Sequence, residues 1–398
     1  MSMAEQKRAW QNANGKDPDG PGPGGAAPEG KDAGEGNTSR NPMATLHVFT
    51  LIPGFEPMDP FLMVGFHSDV FPARNSLDQT PGFPQHPHYG FETVTVMGRG
   101  NTVTDHADSM GGSGRYGDGD VQWMCAGRGI SHSEMIGLRN ADTQNVGEVF
   151  QLWLNLPAKS KKCEPHTTMM WAEDIPEVRG EGGATVKHIA GPDALRPPPN
   201  SWAADAPNNV RIQRITLEPG ATYTLERTAA TTALNLYPFR FAESAQLRVA
   251  AAAAGDAVCS SGTGAIEQTL LSLTDGKVTV KVTDPVTLEN TGSSGSVEIL
   301  LLEANPIGEP VTQQGPFVAA SKDELEEVFL AYQQGKLVDK WPWGSEGPCH
   351  GSSKRFVAGG ERRRGHRHPQ RRAAGLYAEH GDRQAPWRGR SSEPHVLS

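Results

Sequence analysis

PQHPHYGFETVTV (residues 84–96) and QWMCAGRGISHSEM (residues 122–135) open and close a segment that carries, at each end, two metal-capable side chains two positions apart. Successive side chains of an extended strand point to opposite faces, so His86 and His88 project one way together, and so do His132 and Glu134. Two such pairs can converge on one ion. Three imidazoles and a carboxylate suit a divalent first-row metal, with geometry deciding which one. Four protein ligands leave about two positions open on an octahedral ion, and open positions are what a catalytic metal needs and a structural one usually lacks. A single His-x-His pair arises on surface strands by chance; the pair, the later His-x-Glu and the glycine-punctuated hairpin between them form a far more specific set.

The neighbouring residues fill in a barrel wall. Thr93, Thr95 and Met97 alternate with Val94 and Val96, a pattern for a strand buried on both faces. Glu92 shares the parity of the two histidines, which makes it the main rival to Glu134 as fourth ligand; it is expected beside the site, orienting a ligand imidazole through its other nitrogen. DSMGGSGRYGDGD (108–120) has the composition of a hairpin loop with tight turns, and no GK[ST] follows that would make it a phosphate cradle. Gln122, Trp123, Met124 and Cys125 are expected to line or back the cavity, with Cys125 an inert buried thiol. His47 and His67 stand alone and are not taken as ligands.

HPHYGFETVTV (86–96), GDGDVQWMCAGRGISHSEM (117–135) and VFQLWLNLPAKSKKCEP (149–165) resemble the signature of the pirin family, within the cupin superfamily of small β-barrels. The resemblance extends more loosely from about Met58 to Trp343 and includes EPVTQQGPFV (309–318). It implies an all-β bicupin with metal in the N-terminal barrel only, and it places the family's ligands on His86, His88, His132 and Glu134. It also implies Fe(II), or another divalent first-row metal, and a quercetin-like flavonol cleaved by a 2,3-dioxygenation that releases carbon monoxide. Glu134 would then be a labile ligand that accepts the substrate hydroxyl proton. The alternative it implies is an iron-dependent redox-sensing regulator that binds a transcription factor or another protein. Two departures stand out: Tyr89 replaces the usual arginine between HPH and GFE, removing a positive charge near the expected site mouth, and Cys125 replaces the usual threonine of WMTAGRG.

Composition agrees with such a fold. The 398 residues can build two domains, and 46 glycines with 31 prolines favour many short strands joined by turns. The net charge of −9 is uneven: residues 350–398 hold 11 Lys or Arg against 4 acidic residues, so residues 1–349 carry −16. An acidic body is unsuited to direct nucleic-acid binding, which rests on phosphate neutralisation. The four cysteines, at 125, 163, 259 and 349, form no CxxC. They point to reduced thiols in a cytoplasmic or nuclear compartment. No apolar stretch is long enough for a membrane span.

In chain order, residues 1–43 are expected as a disordered leader and 44–191 as the metal-binding barrel. The proline-rich 192–209 is expected as a linker. Residues 210–345 are expected as a second barrel with a helix over 321–335, where Ser321 and Glu324 form a capping box and Leu325, Val328, Phe329 and Tyr332 an apolar stripe. No histidine occurs between Ile189 and Cys349, so the second barrel cannot repeat the metal site. Residues 346–398, with ERRRGHRHPQRR, are expected as a basic disordered tail: a nuclear-localisation or nucleic-acid segment, or an extension from a misplaced stop.

Overall fold

The computed structural model describes residues 59–343, apart from breaks at 77–79, 193, 195–199, 227–232, 243, 252–254, 261–266, 269–270, 275–276 and 281–284, together with two outlying strands, 46–48 and 356–358. The leader 1–43 and all of the tail but 356–358 lie outside the described residues.

Two antiparallel sheets make the first barrel. One contains β1 (Leu46–Val48), β2 (Phe61–Phe71), β4 (Phe91–Met97), β7 (Val121–Cys125), β9 (Asn145–Asn155) and β10 (His166–Met170), in the order β1-β2-β9-β4-β7-β10. The other contains β3 (Gly82–His88), β5 (Thr102–Asp108), β6 (Ser113–Gly117) and β8 (Ile130–Leu138), in the order β6-β5-β8-β3. The glycine-rich 108–120 is thus more than a loop: its centre is β6, flanked by turns, and Phe356–Ala358 pairs along its outer edge. That pairing gives the expected tail one ordered backbone segment.

The centre of the first sheet is buried on both faces, which is why β4 and β7 carry no exposed residue. On β9, Val149, Gln151 and Trp153 face the barrel cavity, whereas Phe150, Leu152 and Leu154 join Val94, Val96 and Trp123 in a core shared with the second barrel. Strand alternation thereby divides one sheet between two environments.

The second barrel is built on β12 (Ala184–Ala190) and β13 (Arg211–Leu217), the latter paired with strand Val297–Ala304, which pairs in turn with Ala233–Phe241. Val297, Ile299 and Leu301 point into this barrel's own core, and Leu300 and Leu302 into the shared layer. Arg214 bridges the barrels by donating to Glu148 (2.7 Å) and Glu298 (3.0 Å).

Two expected boundaries shift. β11 (Glu177–Arg179) and β12, assigned by sequence to the first barrel, pair into the sheet of the second. Hydrogen-bond registry overrides chain order here, because β12 and β13 face each other across the 192–209 segment. The helix, Lys322–Gln333, is capped as expected by Ser321 Oγ accepting from the Glu324 amide (3.2 Å), but it docks on the first barrel. There Tyr89 and Phe317 meet Leu325 and Val328, and the Tyr89 hydroxyl donates to Glu324 (2.8 Å). The turn between β3 and β4 is held from the same side. Gly90 has φ +82° and packs so tightly on the Val318 carbonyl that a Cβ would collide with it. The buried Lys161 ammonium donates to Gly90 O (2.9 Å) and Asn155 Oδ1 (2.6 Å), with burial lowering its pKa to about 8. This clamp fixes where His88 leaves β3.

Candidate metal centre

β3 and β8 run antiparallel with His86 directly opposite His132, so the two doublets meet as alternation requires. His86, His88 and His132 offer ring nitrogens that all lie within 4.8 Å of one another. His88 Nε2 and His132 Nε2 are 3.0 Å apart. Bonds of about 2.1 Å at right angles put two ligand nitrogens about 3.0 Å apart, so this spacing fits cis ligands of one ion.

The other ring nitrogens fix the tautomers. His86 Nδ1–H donates to Pro84 O (2.8 Å), leaving Nε2 free to ligate. His132 Nδ1 faces His106 Nδ1 at 3.4 Å, and His106 Nε2–H donates to Asp108 Oδ2 (3.2 Å). Asp108 is pinned in turn by the amides of Met110 and Gly112, each 2.9 Å from Oδ1. A relay from His132 through His106 to Asp108 therefore aims the His132 lone pair inward. His88 Nδ1 is buried with no hydrogen-bond partner. Burial lowers the pKa of all three imidazoles, that of His86 to about 4, which keeps them neutral and able to bind a cation.

Glu134, two residues along β8 from His132, stands outside this cluster. It lines the barrel cavity, but neither of its oxygens is within 4.8 Å of all three imidazoles; instead Thr95 Oγ1 donates to it (3.3 Å). Burial raises its pKa, opposed by His106 and Thr95. The cavity measures about 250 Å³, and its wall includes Met63, Phe71, Phe83, Met97, Ile136 and Trp153. An apolar chamber with a few converging polar groups is the usual form of a small-molecule site.

Three sequence expectations are corrected. Glu92 does not sit beside the ligands: Trp123 Nε1 (2.9 Å) and Ser201 Oγ (2.7 Å) donate to it on the opposite face of β4. The turn at Gly90 carries the chain into the other sheet, so parity counted from His88 does not continue past it. Tyr89 is buried beneath the helix and does not stand at the site mouth, and its pKa is raised by burial and by Glu324. Trp123 and Cys125 point away from the cavity, while Gln122 and Met124, paired with Thr95 and Thr93, back it. His106 and Asp108 were not singled out, although T-D-H-A-D (104–108) repeats the two-residue spacing that marks the ligands.

The Pirin family profile matches residues 43–154, and that of the Pirin C-terminal cupin domain matches residues 239–338. Pirin-1 of Arabidopsis thaliana is 33% identical over 283 residues, 70% of this chain and 83% of that protein. A pirin-like protein of Caulobacter vibrioides is 32% identical over 287 residues, 72% of this chain and 90% of its own. Among solved structures, quercetin 2,3-dioxygenase from Acinetobacter baumannii superposes with a TM-score of 0.55 at 28% identity, covering 71% of this chain and 87% of that one.

Proposed function

Because the chain belongs to the pirin family, we propose that it is a metal-dependent bicupin oxygenase that cleaves a quercetin-like flavonol. The observation that carries this reading is the cluster of three neutral imidazoles, two of which, His86 and His88, line an apolar cavity. His86, His88 and His132 would hold an Fe(II)-type ion, or another divalent first-row metal, with Glu134 as the fourth ligand. Such an ion supplies Lewis acidity and open positions for a substrate oxygen and O₂.

The remaining work belongs to the protein. Trp153, Phe83 and Met97 form an apolar slot that excludes water and orients the flat rings. Glu134, steadied by Thr95, accepts the proton of the flavonol 3-hydroxyl. In the overall reaction both atoms of O₂ enter the substrate, two carbon–carbon bonds of its central ring break, and one carbon leaves as carbon monoxide. No external reductant is needed. The reduced thiols of Cys125 and Cys163 support a cytoplasmic or nuclear setting. Among the described residues no helix is long and apolar enough to cross a membrane.

Metal analysis followed by oxygen-electrode assay with quercetin tests the proposal. Iron-loaded protein is expected to consume one O₂ and release one CO per flavonol, and His88→Ala to lose both metal and turnover. Metal binding without oxygen uptake would favour the regulatory reading, in which the same ligands form a redox switch for a protein partner. Turnover retained by His88→Ala would rule out this site.

A further inference from the structure

On the face of β4 turned away from the histidines, three adjacent strands bring a carboxylate, a thiol and an imidazole to one level. Glu92 of β4 is paired with Cys125 of β7, and Cys125 with His166 of β10. Their donor atoms all lie within 4.8 Å of one another. Cys163, from the loop before β10, adds a second thiol, with its Sγ 3.4 Å from that of Cys125.

Two of these groups, Glu92 and His166, are oriented by one atom and unclaimed by any conventional hydrogen bond at another. Glu92 accepts from Trp123 and Ser201 through Oε2, while Oε1, on a residue with no exposed surface, has no hydrogen-bond partner. His166 Nδ1–H donates to the Glu164 carbonyl (3.2 Å), which leaves a lone pair on Nε2, and that atom too is buried without a partner. An interior carboxylate oxygen and imidazole nitrogen left unpaired are costly. A carbonyl or indole behind a donor is also how proteins hold metal ligands in place.

We propose that Glu92, Cys125 and His166, with Cys163 completing the set, form a second cation site, specific for a zinc-class divalent ion. A mixed sulfur, nitrogen and oxygen set favours such a borderline-soft ion, whereas the all-imidazole cluster across the sheet suits iron, nickel or zinc alike. Tetrahedral bonds of about 2.3 Å to sulfur and about 2.0–2.2 Å to nitrogen and oxygen separate the donors by about 3.3–3.8 Å. Two sulfurs on such an ion stand at the top of that range, about 3.8 Å apart, so the 3.4 Å pair and the other donors reach their places by side-chain movement. Binding releases the two thiol protons to solvent and transfers no electrons. Cys163 and His166 are only partly buried, so the ion enters past them. Ser201, which holds Glu92, lies between β12 and β13 of the second barrel, so the filled site would brace the contact between the two barrels.

Cobalt(II) added to the reduced, chelator-stripped full chain tests the site, since a sulfur-to-cobalt charge-transfer band cannot come from the histidine cluster. The expected result is a band that saturates at one ion per chain, is displaced by zinc, and is lost in Cys125→Ser. Ser201→Ala should weaken cobalt binding about 10–100-fold. If Cys125→Ser fails to fold, the partly exposed Cys163→Ser serves instead and should cut the band's intensity. Absence of the band with both thiols titrating as free would overturn the proposal. So would a band unchanged by both substitutions, or isolation of the Cys125–Cys163 pair as a disulfide after reduction. Failure of the flavonol assay leaves this readout untouched.

Discussion

The two barrels share an architecture and differ in what their strands aim inward. The second closes on aliphatic side chains, among them Val186, Ile215, Leu234, Leu236, Leu288, Ile299 and Leu301, all buried. The first aims His86, His88, Thr95, Glu134 and Gln151 into a chamber that Trp153, Phe83 and Met97 line without filling. A barrel filled with branched aliphatic residues packs to interior density and has no room for chemistry. One that turns polar groups inward must leave space and pair those groups, as Asp108 and Thr95 do. Residues 286–343 serve both, since strand Val297–Ala304 is the spine of the closed barrel and the following helix buttresses the open one.

The contrast can be broken from either side. Leu301→Ala, in the filled barrel, should cost about 2–5 kcal/mol of stability by denaturant unfolding, with the metal content of the folded fraction unchanged. A simultaneous loss of metal would mean that the barrels do not divide structure from chemistry. In the open barrel, His106→Ala removes the partner of His132 without touching the proposed ligands, and should weaken metal binding about 10–100-fold while the melting temperature of the stripped protein changes little. A large fall in that temperature would make the relay structural.

The smallest effect is expected at the buttress. Burial pushes the Glu324 carboxyl up, but the Ala320 amide, the Tyr89 hydroxyl and Lys162 outweigh it and hold its pKa below the usual value. A depressed folded-state pKa contributes stability that is present above about pH 4.3 and is lost as pH falls through the folded value. Glu324→Gln should therefore flatten the acid limb of the stability curve by about 0–1 kcal/mol. An unchanged limb would show that the helix docks through its apolar stripe alone.

The histidine doublets were legible because strand parity is a local property. Within β3 and within β8 each pair had to share a face, and nothing distant could alter that. The same rule misplaced Glu92, since Gly90 interrupts the strand and the count does not cross a turn. His106 carried the signal of spacing, but only registry with Glu134 and His132 on β8 gives that signal a meaning.

By itself the sequence determined the all-β class, the two barrels, the capped helix and the side chains able to bind metal, because alternation, turn chemistry and capping act over a few residues. Tertiary structure alone decided that β12 belongs to the second barrel, that the helix rests on the first, and that Glu92, Cys125 and His166 stand abreast. Those outcomes depend on which strands exchange hydrogen bonds across long loops, and short-range pattern carries no record of that choice.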